Sequence, residues 1–226
     1  MKTPAQRITE TGIIPVVKLL HPQEDAVPLA RALIEGDISV MEITFRAAGA
    51  TKAIRLITEN CPEMLVGAGT ILNVDQIDEA YAAGARFFVT PGFDSELITH
   101  CLSRGLTIFP GCTTASEYHS AYRLGLPILK FFPAEQSGGL AKIKALNGPF
   151  SMFQVIPTGG ITLDNLGEYL ASPIICACGG SYMVPQRAKY SAILWRGCFK
   201  YCSRREPDWN LFLREGRIPT GKYLRL

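Results

Sequence analysis

The chain has 226 residues, 47% of them hydrophobic and 19% charged, with a formal net charge of +3. That length and balance predict one folded domain with a sizeable core and argue against a disordered or low-complexity chain. No apolar run approaches the roughly eighteen residues of a membrane span, and the polar start MKTPAQRITETG lacks a secretory core, so the expectation is a cytoplasmic protein with no membrane partner.

Seven cysteines, an odd number with no CxxC pair, predict reduced and mostly buried thiols in a chain of this size. His21, His100 and His119 lie far apart in sequence and show no spacing suited to a zinc face, so no metal is expected. The charge is unevenly spread: residues 1–185 carry 13 Lys and Arg against 17 Asp and Glu, whereas residues 186–226 carry 10 against 3. With no groove-reading motif and a mildly acidic main body, the basic end reads as a solvated tail and no nucleic acid partner is expected.

In chain order, short apolar and β-branched runs recur: IIPVVK from Ile13, SVMEITF from Ser39, EMLVGA from Glu63, RFFVT from Arg86, LTIF from Leu106, PILKFF from Pro127, FQVIP from Phe153 and PIICAC from Pro173. The gaps hold helix-patterned segments such as EDAVPLARALIEG, NVDQIDEAYAAGA and TASEYHSAYRLG. Asn73, Asp94 and Thr114 are placed to cap helices, and Gly36, Gly84, Gly105 and Gly125 to end them before the next strand. Alternation of this kind predicts α/β architecture with a parallel sheet covered by helices. Eight units in one domain favour a closed (β/α)8 TIM barrel over an open doubly wound sheet.

In a barrel alternate strand residues point inward. On the second strand this places Val40, Glu42 and Thr44, with Arg46 beyond them, on the inner face, and Met41, Ile43 and Phe45 against helices. A buried carboxylate costs several kcal/mol unless paired, so Glu42 with Arg46 four residues on reads either as a functional pair or as a structural ion pair. On the sixth strand Ile128, Lys130 and Phe132 share one face. A lysine attacks a carbonyl only as the neutral amine. Desolvation by Ile128 and Phe132 favours that form, as would a guanidinium nearby, while Glu42 opposes it; the alternative is a snorkelling lysine at a strand end.

Pro157-Thr158-Gly159-Gly160 ends the seventh run and Gly179-Gly180-Ser181 the eighth. Such turns are often only turns. On these two adjacent strands of a barrel they also predict an anion cradle of backbone N–H groups for a phosphate.

Glu42-Ile-Thr-Phe-Arg46, Val66-Gly-Ala-Gly-Thr70, Thr90-Pro-Gly92, Phe109-Pro-Gly-Cys-Thr113, Leu129-Lys-Phe-Phe-Pro-Ala-Glu135, Pro157-Thr-Gly-Gly-Ile161 and Gly179-Gly-Ser181 together resemble the bacterial 2-keto-3-deoxy-6-phosphogluconate (KDPG) aldolases, which include 4-hydroxy-2-oxoglutarate (KHG) aldolases. The resemblance spans about residues 8 to 185. It implies a class I lyase that cleaves a phosphorylated 2-keto sugar acid to pyruvate and glyceraldehyde 3-phosphate, and also KHG to pyruvate and glyoxylate, with no metal or organic cofactor. It further implies Lys130 as the Schiff-base nucleophile, Glu42 as general acid/base, Arg46 and Thr70 on the pyruvate carboxylate, and Gly159, Gly160 and Ser181 on the phosphate. Pro91 and Thr158 would line the same pocket. A homotrimer is implied if the C-terminal segment permits it, and gluconate- and galactonate-derived substrates remain open.

After Met183-Val-Pro185 the resemblance stops. Residues 1–185 form the expected barrel domain. Residues 186–226 are basic, contain Trp195, Trp209, Pro207 and Pro219, and stand in place of the acidic amphipathic helix that the family's pattern leads one to expect. Leu194, Cys198 and Cys202 share one helical stripe. The segment reads as a frameshifted or altered gene end, or as a lineage-specific extension. Two other functions stay in view: a phosphate-binding isomerase or epimerase on a similar barrel, and a destabilised relative without turnover.

Overall fold

The computed structural model describes residues 2–182 and 184. It opens on a helix, α1 (Pro4–Thr11), that the sequence reading did not anticipate. Thr3 and Gln6 form a capping box around Pro4 at the first turn, and Gly12, left-handed at φ 75°, ends the helix. So short a helix is marginal alone; its hold comes from below the barrel. Arg7 donates to the carbonyls of Ser39 and Glu63 at 2.9 and 2.6 Å, and Ile8, fully buried, enters the cluster inside the barrel.

Strand and helix then alternate: β1 (Ile13–Val17), α2 (Pro22–Glu35), β2 (Val40–Thr44), α3 (Ala50–Asn60), β3 (Leu65–Gly69), α4 (Val74–Ala82), β4 (Phe87–Val89), α5 (Ser95–Ser103), β5 (Thr107–Phe109), α6 (Ala115–Arg123), β6 (Ile128–Phe131), a 3-10 turn (Glu135–Ser137), α7 (Gly139–Asn147), β7 (Gln154–Pro157), α8 (Leu163–Leu170) and β8 (Cys178–Gly180). Asn73, Asp94 and Thr114 cap α4, α5 and α6 as expected. At the end of α2 the left-handed residue is Asp37, at φ 64°, not Gly36; Gly36 closes the last turn through its own N–H, bonded back to Ala32 and Leu33.

All strand pairs are parallel. Six strands form an arc in the order β5-β4-β3-β2-β1-β8, and β6 pairs with β7. Two seams close the ring. Between β5 and β6, Lys130 N–H donates to Pro110 at 2.9 Å and its carbonyl accepts from Cys112 at 2.8 Å; between β7 and β8, Thr158 bridges Gly179. The eight strands thus follow one another around a TIM-type barrel.

The eighth strand differs from its expected position. The run beginning at Pro173 is not extended at its start: after α8 the chain turns, with Ser172 N–H bonded to Tyr169 and Ile175 N–H to Ser172, and regular pairing begins only at Cys178. The run looks like a strand because Cys176 and Ala177 are apolar and buried inside the barrel.

Two hydrophobic bodies result. The outer one joins helices to the outward strand residues, among them Met41, Ile43, Leu129 and Phe131. The inner one stacks Ile14, Val40, Leu65, Phe87, Phe109, Ile128 and Ile156, closed from below by Ile8, as inward alternation requires. Ile8→Ala should open a cavity at this floor and cost about 2–5 kcal/mol, read as a lowered urea midpoint with KM unchanged.

The five described cysteines, Cys61, Cys101, Cys112, Cys176 and Cys178, are buried thiols. Among the described residues no helix is long and apolar enough to cross a membrane. The segment 186–226, with Trp195, Trp209 and the stripe of Leu194, Cys198 and Cys202, lies outside the described residues.

Candidate active site

Parallel packing puts the C-terminal ends of the strands on one face, where side chains from non-adjacent strands converge. There the barrel holds a cavity of about 250 Å3. All nine residues singled out from the sequence line it: Glu42 and Arg46 from the end of β2, Thr70 after β3, Pro91 after β4, Lys130 on β6, Thr158, Gly159 and Gly160 after β7, and Ser181 after β8. Thr44, expected on the same face, does not line it; its hydroxyl donates to the Val17 carbonyl at 2.8 Å. Val16, Phe132, Ile161 and Gly180 complete the wall. Period-two alternation along β1 would have found Val16, two residues beyond the inward Ile14.

Lys130 is 5% exposed, and its Nζ lies 4.9 Å from the centre of the Phe132 ring. Its main chain is fixed on both sides, by Pro110 and Cys112 across the seam and by Ile156 on β7. The amine therefore projects from a held strand into the cavity, beside the Phe132 ring and within the electrostatic reach of Glu42. Cys112, next to this seam, is no rival nucleophile, because burial pushes its thiol up to about 12.

Glu42 is 2% exposed, and its Oε1 has no hydrogen-bond partner among the described residues. Burial raises its pKa above the ordinary carboxylate range, against the opposing charges of Lys130 and Arg46. A buried carboxylate oxygen left without a partner is costly in a folded protein, and such groups concentrate where protons are moved. The carboxylate fits only because β3 offers no side chain beside it: a Cβ on Gly69 would lie 1.9 Å from Glu42 Oε1. Gly69→Ala should displace the carboxylate and cost about 1–3 kcal/mol through overpacking, seen as a lower Tm together with a fall in kcat.

Thr70 follows directly and stands at φ 57°. A β-branched residue in the left-handed region is a strained outlier, and such strain gathers at functional sites. Nothing in the sequence marked it, because a threonine gives no sign of the backbone it will adopt. Gly159 and Gly160 are also left-handed, at φ 96° and 80°, a conformation glycine adopts without steric cost. With Ser181 beyond the Thr158–Gly179 bridge, these turns line the cavity on the side of β7 and β8.

The family model for KDPG and KHG aldolase matches residues 5–193. The chain belongs to the KDPG and KHG aldolase family. Among its relatives, the 2-dehydro-3-deoxy-phosphogluconate aldolase of Treponema pallidum is 48% identical over 188 residues, 83% of this chain and 89% of the relative. A KDPG aldolase structure from Zymomonas mobilis superposes with a TM-score of 0.83 at 34% identity, covering 88% of this chain and 97% of that one. The KDPG aldolase of Legionella pneumophila, solved with pyruvate captured as a covalent carbinolamine intermediate, superposes with a TM-score of 0.80 at 36% identity, covering 89% and 97%. The aldolase family match carries past Pro185, where the sequence resemblance was expected to stop, and ends at residue 193.

Proposed function

We propose that the protein is a class I aldolase that cleaves KDPG to pyruvate and glyceraldehyde 3-phosphate, and KHG to pyruvate and glyoxylate. The observation that carries this reading is a buried amine and a buried carboxylate with one oxygen unpartnered among the described residues, lining one cavity at the C-terminal face of a barrel. The pyruvate bound covalently in the Legionella relative supports the same chemistry.

In this reading the neutral amine of Lys130 adds to the C2 carbonyl of the keto acid, and the resulting carbinolamine loses water to a protonated imine. Glu42 as carboxylate takes the proton of the C4 hydroxyl. The C3–C4 bond breaks, its electron pair passes into the imine to give an enamine, and the aldehyde departs. Glu42, now carrying the proton, returns it to C3, and water hydrolyses the imine to free pyruvate and Lys130. Burial, by raising the pKa of Glu42, makes its carboxylate a stronger base for taking the proton of the C4 hydroxyl. Arg46 and Thr70 clamp the keto acid carboxylate, Pro91 and Thr158 line the middle, and the Gly159, Gly160 and Ser181 backbone receives the phosphate. No metal or organic cofactor enters these steps.

The proposal extends to a cytoplasmic homotrimer built on a barrel domain over residues 1–185, with residues 186–226 as a distinct basic segment. Light scattering on the full chain tests the trimer. Pyruvate release from KDPG, coupled to a dehydrogenase, tests the activity. Release at a rate well above the uncatalysed background is the expected result; a correctly folded protein with no release overturns the reading.

A further inference from the structure

We infer that Glu135, held by Tyr169, is a positioning residue that fixes the Gly159–Gly160 turn and so sets affinity for the phosphorylated end of the substrate. This inference rests on the aldolase reading and deepens it.

Glu135 opens the 3-10 turn that follows the strand of Lys130, and its backbone reaches across to the next turn. Ala134 N–H donates to the Thr158 carbonyl at 2.8 Å and Glu135 N–H to the Gly159 carbonyl at 3.1 Å. The side chain then packs flat on the turn. A Cβ on Gly160 would lie 2.6 Å from both Cβ and Cγ of Glu135, so glycine and glutamate fill one space between them. The far end of the side chain is anchored as well: its Oε1 accepts from the hydroxyl of Tyr169 on α8, a residue 2% exposed. From the other side Asn165 donates to the Gly160 carbonyl at 3.0 Å while its own Oδ1 accepts from Thr162 N–H at 2.8 Å.

The glycine pair is free to take many conformations, and a cradle of backbone N–H groups binds an anion well only when they are held in place beforehand. Here the holding is done by a side chain that starts in the 3-10 turn after the nucleophile's strand and ends on a buried tyrosine. Glu135 therefore ties the Gly159–Gly160 turn to the segment that follows the strand of Lys130. Its carboxylate has an anchor in the Tyr169 hydroxyl, and Gln at 135 would keep that acceptor and the same length, whereas Ala would remove both.

The test uses the full chain and two substrates, KDPG with its phosphate and KHG without one. Glu135→Ala and Tyr169→Phe should each raise KM for KDPG about tenfold with kcat little changed, and leave both constants for KHG within about twofold. Glu135→Gln should restore the KDPG KM. Equal losses on both substrates, with or without a fall in Tm, would show a general structural role and overturn the inference, as would KDPG constants that do not move. A wild-type protein that cleaves neither substrate defeats the aldolase reading itself and the inference with it, a result distinct from a working enzyme whose variants fail to discriminate.

Discussion

Lys130→Ala should abolish borohydride trapping of radiolabelled pyruvate and lower kcat by roughly 10^5-fold or more, the scale seen when a covalent nucleophile is lost. The expectation rests on position as much as on chemistry. The amine is almost wholly withdrawn from solvent, and the strand that carries it is bonded on both edges, so there is little freedom for another residue to substitute. The alanine should fold, because the bonds that close the barrel at this point come from the main chain of residue 130. Trapping that persists in the variant would locate the Schiff base elsewhere. A variant that loses activity and the cooperative melt together would make Lys130 a structural residue.

Glu42→Gln should lower kcat about 10^2- to 10^4-fold, the usual range for a general acid/base, while borohydride trapping of pyruvate survives because Lys130 is intact. It should also change how stability depends on pH. Burial raises the folded-state pKa of Glu42 above its ordinary value of 4.5, so the folded protein holds a proton that the unfolded chain has released. Its contribution to stability is therefore fully present below that ordinary value and is lost as pH rises through the raised folded-state value. Glutamine cannot ionise and removes this loss. The variant's Tm should gain on the wild type as pH rises from below 4.5 through the raised folded-state value, with the gain smallest at the acid end. A Tm difference that stays flat, or that moves the opposite way, would mean that the carboxylate is paired well enough in the folded state to ionise without penalty.

The alternation of eight apolar runs with capped helical segments contained most of the barrel, and period-two reasoning on β2 and β6 brought Glu42, Arg46 and Lys130 to one cavity. These positions were legible because inward and outward strand residues have opposite physical demands, so a charged residue in an inward slot stands out. Where the reading fell short, the deciding contacts were long-range. Helix α1 is only eight residues with one fully buried apolar side chain; Arg7's reach to Ser39 and Glu63 has no local signature. The turn after α8 displaced β8 because the apolar character of Ile175 to Ala177 reflects burial, and burial does not require extension. The left-handed Thr70 and the strut from Glu135 to Tyr169, 34 residues apart, belong to the same class.

The two seams of the barrel give it an architecture of arc and clasp. Six strands share continuous ladders, whereas the β6–β7 pair joins them only at isolated bridges, and the clasp carries Lys130 at one seam and Thr158 at the other. The nucleophile thus sits on the clasp, while Glu42, Arg46 and Thr70 stand on the arc. The two parts of the pocket therefore meet across seams held by isolated bridges, so a shift of the clasp would move Lys130 and Thr158 relative to Glu42 without re-registering the arc.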